Sequence, residues 1–367
     1  TSTKWRAYPA DVLPLFVAET DFPLAPAITA RLRAAVEIGD TGYTPPKPGI
    51  AEAYAGFARR RYGWEIDPAH VRSTGDVVMG LVEILRATIS LGDRVVITPP
   101  VYPPFYDLIP EAGGVVETVP LLADAGYTLD LAGIEAALAG GARAVLLCNP
   151  HNPTGTVHSR ETLAELAEIA ARHGAIVVSD EIHAPLVHAP ATFTPFLSAS
   201  PVAASVGYAV ASASKAFNLA GLKCALMSTA ADHTRRVVQG LPKEVEWRTG
   251  HFGALAGVAA FSPESDEWLD ALLAALDANR HLLADLLAEH VPAARYAIPD
   301  AGYLAWVDLS GLGWGEDPAE RILTEARVAV HHGPTFGDEG RGFVRVNFGC
   351  SPEVLREAIE RIGELSR

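Results

Sequence analysis

Four short stretches of this 367-residue sequence place reactive side chains directly after runs that read as buried β-strands. Pro-Pro-Val-Tyr-Pro-Pro-Phe-Tyr (99–106) follows Arg94–Thr98, and Asn-Pro-His-Asn-Pro-Thr-Gly (149–155) follows Arg143–Cys148. Asp180-Glu181-Ile182-His183 follows Ala175–Ser179, and Ser212-Ala213-Ser214-Lys215 follows Ser205–Ala211. Ligands of open α/β sheets bind outside the carboxyl ends of the strands, so an aromatic, an amide, a carboxylate and a lysine among hydroxyls are expected on one rim. A lysine amine there can hold a carbonyl as a Schiff base and then move a proton at the adjoining carbon. The chain has only Lys4, Lys47, Lys215, Lys223 and Lys243 to choose from. Lys215, after a buried run and between small residues, is not placed like a solvated surface lysine.

Two further stretches carry charge recognition. In Phe343-Val-Arg-Val-Asn-Phe, strand alternation puts Arg345 and Asn347 on one face and Val344, Val346 and Phe348 on the other. An arginine on a buried side can clamp a carboxylate with two parallel hydrogen bonds. Thr74-Gly-Asp-Val-Val precedes a helical stretch, and the free amides of a helix start favour an anion.

The elements that must position these groups alternate between strand and helix. Val115–Val119 and Cys224–Thr229 complete a set of short strands, and Arg160–His173 reads as a helix. Ser159 is its cap, Glu161 lies in its first turn and Gly174 comes after it. Such alternation implies a mostly parallel sheet covered on both faces. The tail differs. Glu267–His290 repeats leucines 269, 272, 273, 276, 283, 286 and 287 at helical spacing. Strands at Gly302–Asp308 and Gly342–Phe348 and a helix from Pro352 come next, giving a second, smaller α+β unit that the Pro-rich segment before Pro26 could join.

These motifs, in this order, resemble the fold-type I, aspartate-aminotransferase-like enzymes that use pyridoxal 5′-phosphate (PLP). Lys4-Trp5, Pro14-Leu-Phe-Val-Ala-Glu-Thr-Asp-Phe22, Gly42-Tyr-Thr-Pro-Pro, Cys148-Asn-Pro-His-Asn-Pro-Thr-Gly, Ser179-Asp-Glu-Ile-His and Ser212-Ala-Ser-Lys-Ala-Phe-Asn-Leu-Ala-Gly-Leu-Lys-Cys look most like the MalY/PatB-type cystathionine β-lyases. The resemblance implies a PLP-binding large domain over 40–270 and a small domain from 1–39 and 271–367. It gives Lys215 the Schiff base, Asp180 the pyridine nitrogen, Asn152 the phenolic oxygen and Tyr102 a place stacked on the ring. Ser212, Ser214, Lys223 and the amides of Val77 and Val78 would hold the phosphate, and Arg345 the substrate carboxylate. Tyr43 would reach a neighbouring subunit's phosphate, which implies a homodimer. His183, where many aminotransferases carry tyrosine, would lie beside the cofactor. Asp76 stands where similar sequences usually have Gly, and Glu19-Thr20 where they read Asp-Met; a carboxylate at 76 repels a phosphate unless it points away.

The implied activity is carbon–sulfur β-elimination on an S-substituted L-cysteine such as cystathionine or a cysteine conjugate. Two alternatives stay open: an aminotransferase or specialised biosynthetic enzyme with the same site, and a mainly regulatory protein-binding role. Composition sets outer limits. Net charge is −15, which argues against wrapping a nucleic acid. Cys148, Cys224 and Cys350 are far apart in apolar runs and read as reduced thiols rather than a disulfide or zinc framework. No stretch is apolar for long enough to span a membrane, and no secretory pattern opens the chain, so a cytoplasmic protein is expected. Gly311-Leu-Gly-Trp-Gly315 lacks the full dinucleotide fingerprint. His331-His332 has no third ligand at a metal spacing, and Arg59–Arg61 reads as a solvated helix face.

Overall fold

In the computed structural model, which describes residues 2–45 and 48–366, seven strands deliver the motifs to one rim. Pro46 of Gly-Tyr-Thr-Pro-Pro, and Lys47, lie outside the described residues. The strands are β1 (Val71–Thr74), β2 (Arg94–Ile97), β3 (Val115–Thr118), β4 (Ala144–Cys148), β5 (Ile176–Asp180), β6 (Gly207–Ala211) and β7 (Ala225–Ser228). They pair in the order β1-β7-β6-β5-β4-β2-β3. The run from β6 to β3 is parallel, while β7 is antiparallel to both of its neighbours. Every residue of β4 and β6 is buried, as expected for central strands covered on both faces. Register pairs Cys148 with Asp180 and Asp180 with Val210, so the segments after β4, β5 and β6 leave the sheet side by side.

Helices cover the sheet. Helix α1 (Pro26–Glu37) packs on α4 (His251–Ala260). Helix α2 (Val77–Thr88) lies on β5, β6 and β7. Its approach needs Gly80, where a Cβ would come within 3.0 Å of Val210 and 3.3 Å of Met227. Helix α3 (Arg160–Arg172) starts as expected, with Ser159 Oγ accepting from the Thr162 amide at 3.1 Å. Its Leu163 and Leu166 are fully buried, each stabilising by roughly 1.5–3 kcal/mol. One element differs from the sequence expectation: Ser205 and Val206 are helical, not strand. Ser200 caps a short helix with Pro201 in its first turn, and β6 begins only at Gly207, where a Cβ would meet the Ala203 carbonyl at 2.5 Å.

The second sheet is antiparallel: β8 (Arg295–Tyr296), β9 (Leu304–Asp308), β10 (His331–His332) and β11 (Phe343–Asn347), ordered β10-β11-β9-β8. Helix α5 (Asp266–His290) and helix α6 (Pro352–Glu364) pack together beside it. Helix α5 runs unbroken through residues 270 and 271 and buries Leu269, Leu272, Leu276, Leu283, Leu286 and Leu287. In the Pro-rich amino-terminal segment, Leu13–Pro14 pairs in parallel with Val328–Ala329, and the Asn347 amide donates to the Leu15 carbonyl at 2.9 Å.

Candidate active site

A cavity of about 460 Å³ opens where the carboxyl ends of β4, β5 and β6 face β11 and residues 16–18. Lys215 and Asp180 both line it. The Lys215 Nζ donates to the Ala18 carbonyl at 3.1 Å. Burial, then the nearby Arg345 charge, lowers its pKa to about 8, against a smaller upward pull from Glu19 and Asp180. Asp180 ends β5, and its Oδ1 accepts from the Ile182 amide at 3.1 Å. Burial pushes its carboxyl up to about 7; the Ile182 bond and Lys215 only partly oppose this. Next to it, Glu181 turns away from the cavity. Its Oε1 accepts from the Phe196 amide at 2.7 Å and from Ser179 Oγ at 3.1 Å, and burial pushes it up to about 8.

Arg345 is buried and held on two sides. Its Nη1 donates to Asn152 Oδ1 at 3.1 Å, its Nη2 to the Phe16 carbonyl at 3.0 Å, and the guanidinium lies 5.1 Å from the Phe336 ring centroid. Its Nε is buried with no partner among the described residues. Asn152 thereby keeps its amide hydrogens as the remaining donors. Asn347 shares the Arg345 face, as strand alternation requires, and its Nδ2 donates to the carbonyls of Val17 and Glu19, both at 2.6 Å. Tyr303 Oη adds a third grip, donating to the Ala18 carbonyl at 3.0 Å.

The same cavity is lined by Asp76, Val77, Val78, Ser212, Ser214 and Lys223. The amides of Val77 and Val78 open α2, where no intrahelical acceptor exists. Asp76 caps that helix, its Oδ1 accepting from the Met79 amide at 2.9 Å. Ser212 Oγ donates to the Cys224 carbonyl at 2.7 Å and accepts from the Ser214 amide at 3.0 Å, so its one proton is committed. Tyr102 stands in the wall with its hydroxyl pushed up to about 12 by burial. His183 is neutral, lowered to about 3 by burial and by the Lys215 and Arg345 charges, and its Nδ1 is buried without a partner among the described residues. Tyr43 is not in this wall. It projects fully exposed from the chain.

Of the residues singled out by their motifs or by the family resemblance, Lys215, Asp180, Asn152, Tyr102, Ser212, Ser214, Lys223, Val77, Val78, His183 and Arg345 all line one cavity, with Asp76 among them. Phe16, Val17, Ala18, Pro103, Pro104, Ile182, Ala220 and His331 also line it and were not singled out for it. Nor were Cys148 and Cys224 as lining residues. All three cysteines are free thiols, Cys224 only half-buried. The wording Pro14-Leu-Phe-Val-Ala was the available signal for the first three. His331 pairs with Arg345 across β10 and β11, while His332 Nδ1 bonds Asp317 at 2.7 Å. The basic run also differs from a bare solvated face: Arg60 and Arg61 pair with Asp266 and Asp270. Among the described residues no helix is long and apolar enough to cross a membrane.

The family model for aminotransferase class I and II matches residues 11–362. A cystathionine beta-lyase of Corynebacterium glutamicum is 37% identical, covering 99% of this chain and 96% of its own. Cystathionine beta-lyase PatB of Bacillus subtilis is 35% identical, covering 96% and 92%. The crystal structure of cystalysin from Treponema denticola, which contains a pyridoxal 5′-phosphate cofactor, superposes with a TM-score of 0.92 at 26% identity, covering 99% and 95%.

Proposed function

The chain belongs to the aminotransferase class I and II family, and from that premise we propose that it is a PLP-dependent carbon–sulfur β-lyase. Its substrate is an S-substituted L-cysteine, cystathionine or a cysteine conjugate, and its products are a thiol, pyruvate and ammonia. The observation that carries the reading is the meeting of Lys215, Asp180, Asn152 and Arg345 in one cavity, built from the ends of the large sheet and the face of the small one. Full-length relatives named as cystathionine beta-lyases support it.

The residues fit the cofactor. Asp180 is a buried carboxyl pushed up to about 7 by burial, a group that a protonated ring nitrogen would satisfy. The helix start at Val77 and Val78 with Lys223 beside it suits a phosphoryl group. When bound, PLP supplies an aldehyde for the lysine and an electron sink for the charge left when the substrate Cα loses its proton. Lys215, with its pKa lowered to about 8, is neutral often enough near pH 7 to act as nucleophile and then as base at Cα. Arg345, already fixed by Asn152 and Phe16, takes the substrate α-carboxylate and so aligns the Cα–H bond. Tyr102, Phe16 and Val17 give the site an apolar wall beside these groups. The sulfur leaves Cβ with its bonding electrons and takes a proton, and hydrolysis of the remaining carbon fragment gives pyruvate and ammonia.

Tyr43 serves the phosphate of a neighbouring subunit in this reading, in a cytoplasmic homodimer whose large domain spans 40–270. Transamination would use the same first proton transfer, so the test is the fate of the substrate. Repeated turnover on an S-substituted cysteine without added keto acid, yielding pyruvate, ammonia and thiol in equal amounts, is the expected result. A single turnover that keto acid restarts would establish an aminotransferase instead.

A further inference from the structure

Asp76 does two jobs at the phosphate end of the cavity. Its Oδ1 caps α2 through the Met79 amide at 2.9 Å, and its Oδ2 lies 3.0 Å from Lys223 Nζ. Both side chains line the same cavity as Val77, Val78 and Ser214, and water reaches both, with 35% of the Asp76 side chain and 61% of Lys223 exposed. The two jobs lock each other. The carboxylate cannot swing out of the cavity end without uncapping the helix whose amides form part of the same cradle. Lys223 is the cation at this end of the wall, and it is already engaged. A phosphoryl group arriving here meets attraction from the helix start and Lys223, and repulsion from a fixed carboxylate that holds that lysine.

We propose that Asp76 is a built-in competitor for the cofactor phosphate: it occupies Lys223 when the phosphate is absent and weakens the hold on the phosphate when it is present. The chain therefore releases and reacquires its cofactor more readily than it would with a neutral cap. The inference rests on the reading that PLP binds here with its phosphate at α2.

Asp76→Asn removes the charge and keeps an oxygen to accept from the Met79 amide; Asp76→Ser does the same with a shorter side chain. The apo-protein is titrated with PLP and, separately, with pyridoxal, which lacks the phosphate, using the quenching of tryptophan fluorescence. The expected result is a PLP dissociation constant roughly 1.5- to fivefold lower in both variants, the range of an exposed ion pair, with pyridoxal affinity unchanged. The gap between wild type and variants should narrow at high salt. Variants that keep native circular dichroism yet bind PLP no tighter, or gain equally for pyridoxal, would overturn the inference. Borohydride separates the two levels. If the wild type forms no reducible PLP adduct on Lys215, the cofactor reading falls and takes this inference with it; if it does and the variants bind no tighter, only the inference falls.

Discussion

Replacing Arg345 by lysine keeps a positive charge in the cavity but removes the planar fork. The wild-type guanidinium spends one donor on Asn152 Oδ1 and one on the Phe16 carbonyl, and its Nε is buried without a partner among the described residues. The remaining hydrogens are those a substrate carboxylate meets. Lysine has three donors on one atom and cannot serve Asn152, Phe16 and both carboxylate oxygens. Losing one charge-assisted hydrogen bond costs about 1.5–3 kcal/mol, and leaving a buried acceptor unpaired costs about 1–3 more. At about 1.36 kcal/mol per decade, Arg345→Lys should lower kcat/KM by roughly 10²- to 10⁴-fold. The assay is coupled pyruvate release from an S-alkyl cysteine, with cofactor content and the reducible Lys215 adduct measured in parallel. Both should match wild type, because Arg345 lies at the substrate end of the cavity. A loss below about fivefold would refute the carboxylate assignment. A large loss with no cofactor bound would place the arginine in cofactor retention instead.

Other outcomes rest on the same geometry. Lys215→Ala should abolish turnover and leave PLP bound without a borohydride-reducible adduct; an adduct on another residue would show the lysine to be misassigned. Mixing Lys215→Ala with Tyr43→Phe chains should restore part of the activity through hybrid dimers with one intact site, and a fully active monomer at assay dilution would exclude this. Reconstitution of the apo-protein should speed up as pH rises toward 8, since a Lys215 pKa of about 8 leaves about one amine in ten neutral at pH 7, against roughly one in three thousand at the ordinary value. Glu181→Gln tests the buried acid beneath the site. Its folded pKa, raised to about 8 by burial, makes the folded state bind a proton that the unfolded state has already lost, so wild-type stability should fall as pH rises from about 4.5 to 8. The neutral variant should escape that fall, and a melting-temperature gap that fails to widen between pH 5 and 8 would show that Glu181 is not held protonated.

The rim was legible in the sequence because parallel strands buried on both faces leave unmistakable apolar runs, and the residues that succeed each run must lie at the same sheet edge. That reasoning put the stretches holding Asp180, Asn152 and Lys215 on one rim; picking Asp180 over Glu181 and Asn152 over Asn149 took the family resemblance. Arg345 was legible from alternation, since Val344 and Val346 had to face the core. Residues 205 and 206 were misjudged because Ser-Val-Gly-Tyr-Ala-Val is apolar enough to extend a strand backwards, while the deciding feature was a cap and a proline five residues earlier. Asp76 reads in the sequence as a carboxylate that repels a nearby anion. Its side chain also answers to two partners, one local and one 147 residues away, and only the local one is written in the neighbouring sequence.

The amino-terminal wall shows why contacts of this kind escape sequence reasoning. Residues 16–19 present a row of backbone carbonyls to the side chains of the cavity. Ala18 accepts from Lys215 and Tyr303, Phe16 from Arg345, and Val17 and Glu19 from Asn347. A carbonyl is the same group in every residue, so nothing in the identity of Ala18 announces that it orients the lysine amine. The identity shows instead on the donor side, where a lysine, a tyrosine, an arginine and an asparagine from three distant stretches converge on four consecutive residues. That convergence also ties the two sheets together at the point of chemistry. Lys215 rises from the large sheet and Arg345 from the small one, and each reads its position from the same short segment. A shift of that segment would therefore disturb the Lys215 amine and the Arg345 guanidinium together, since each bonds a carbonyl of it.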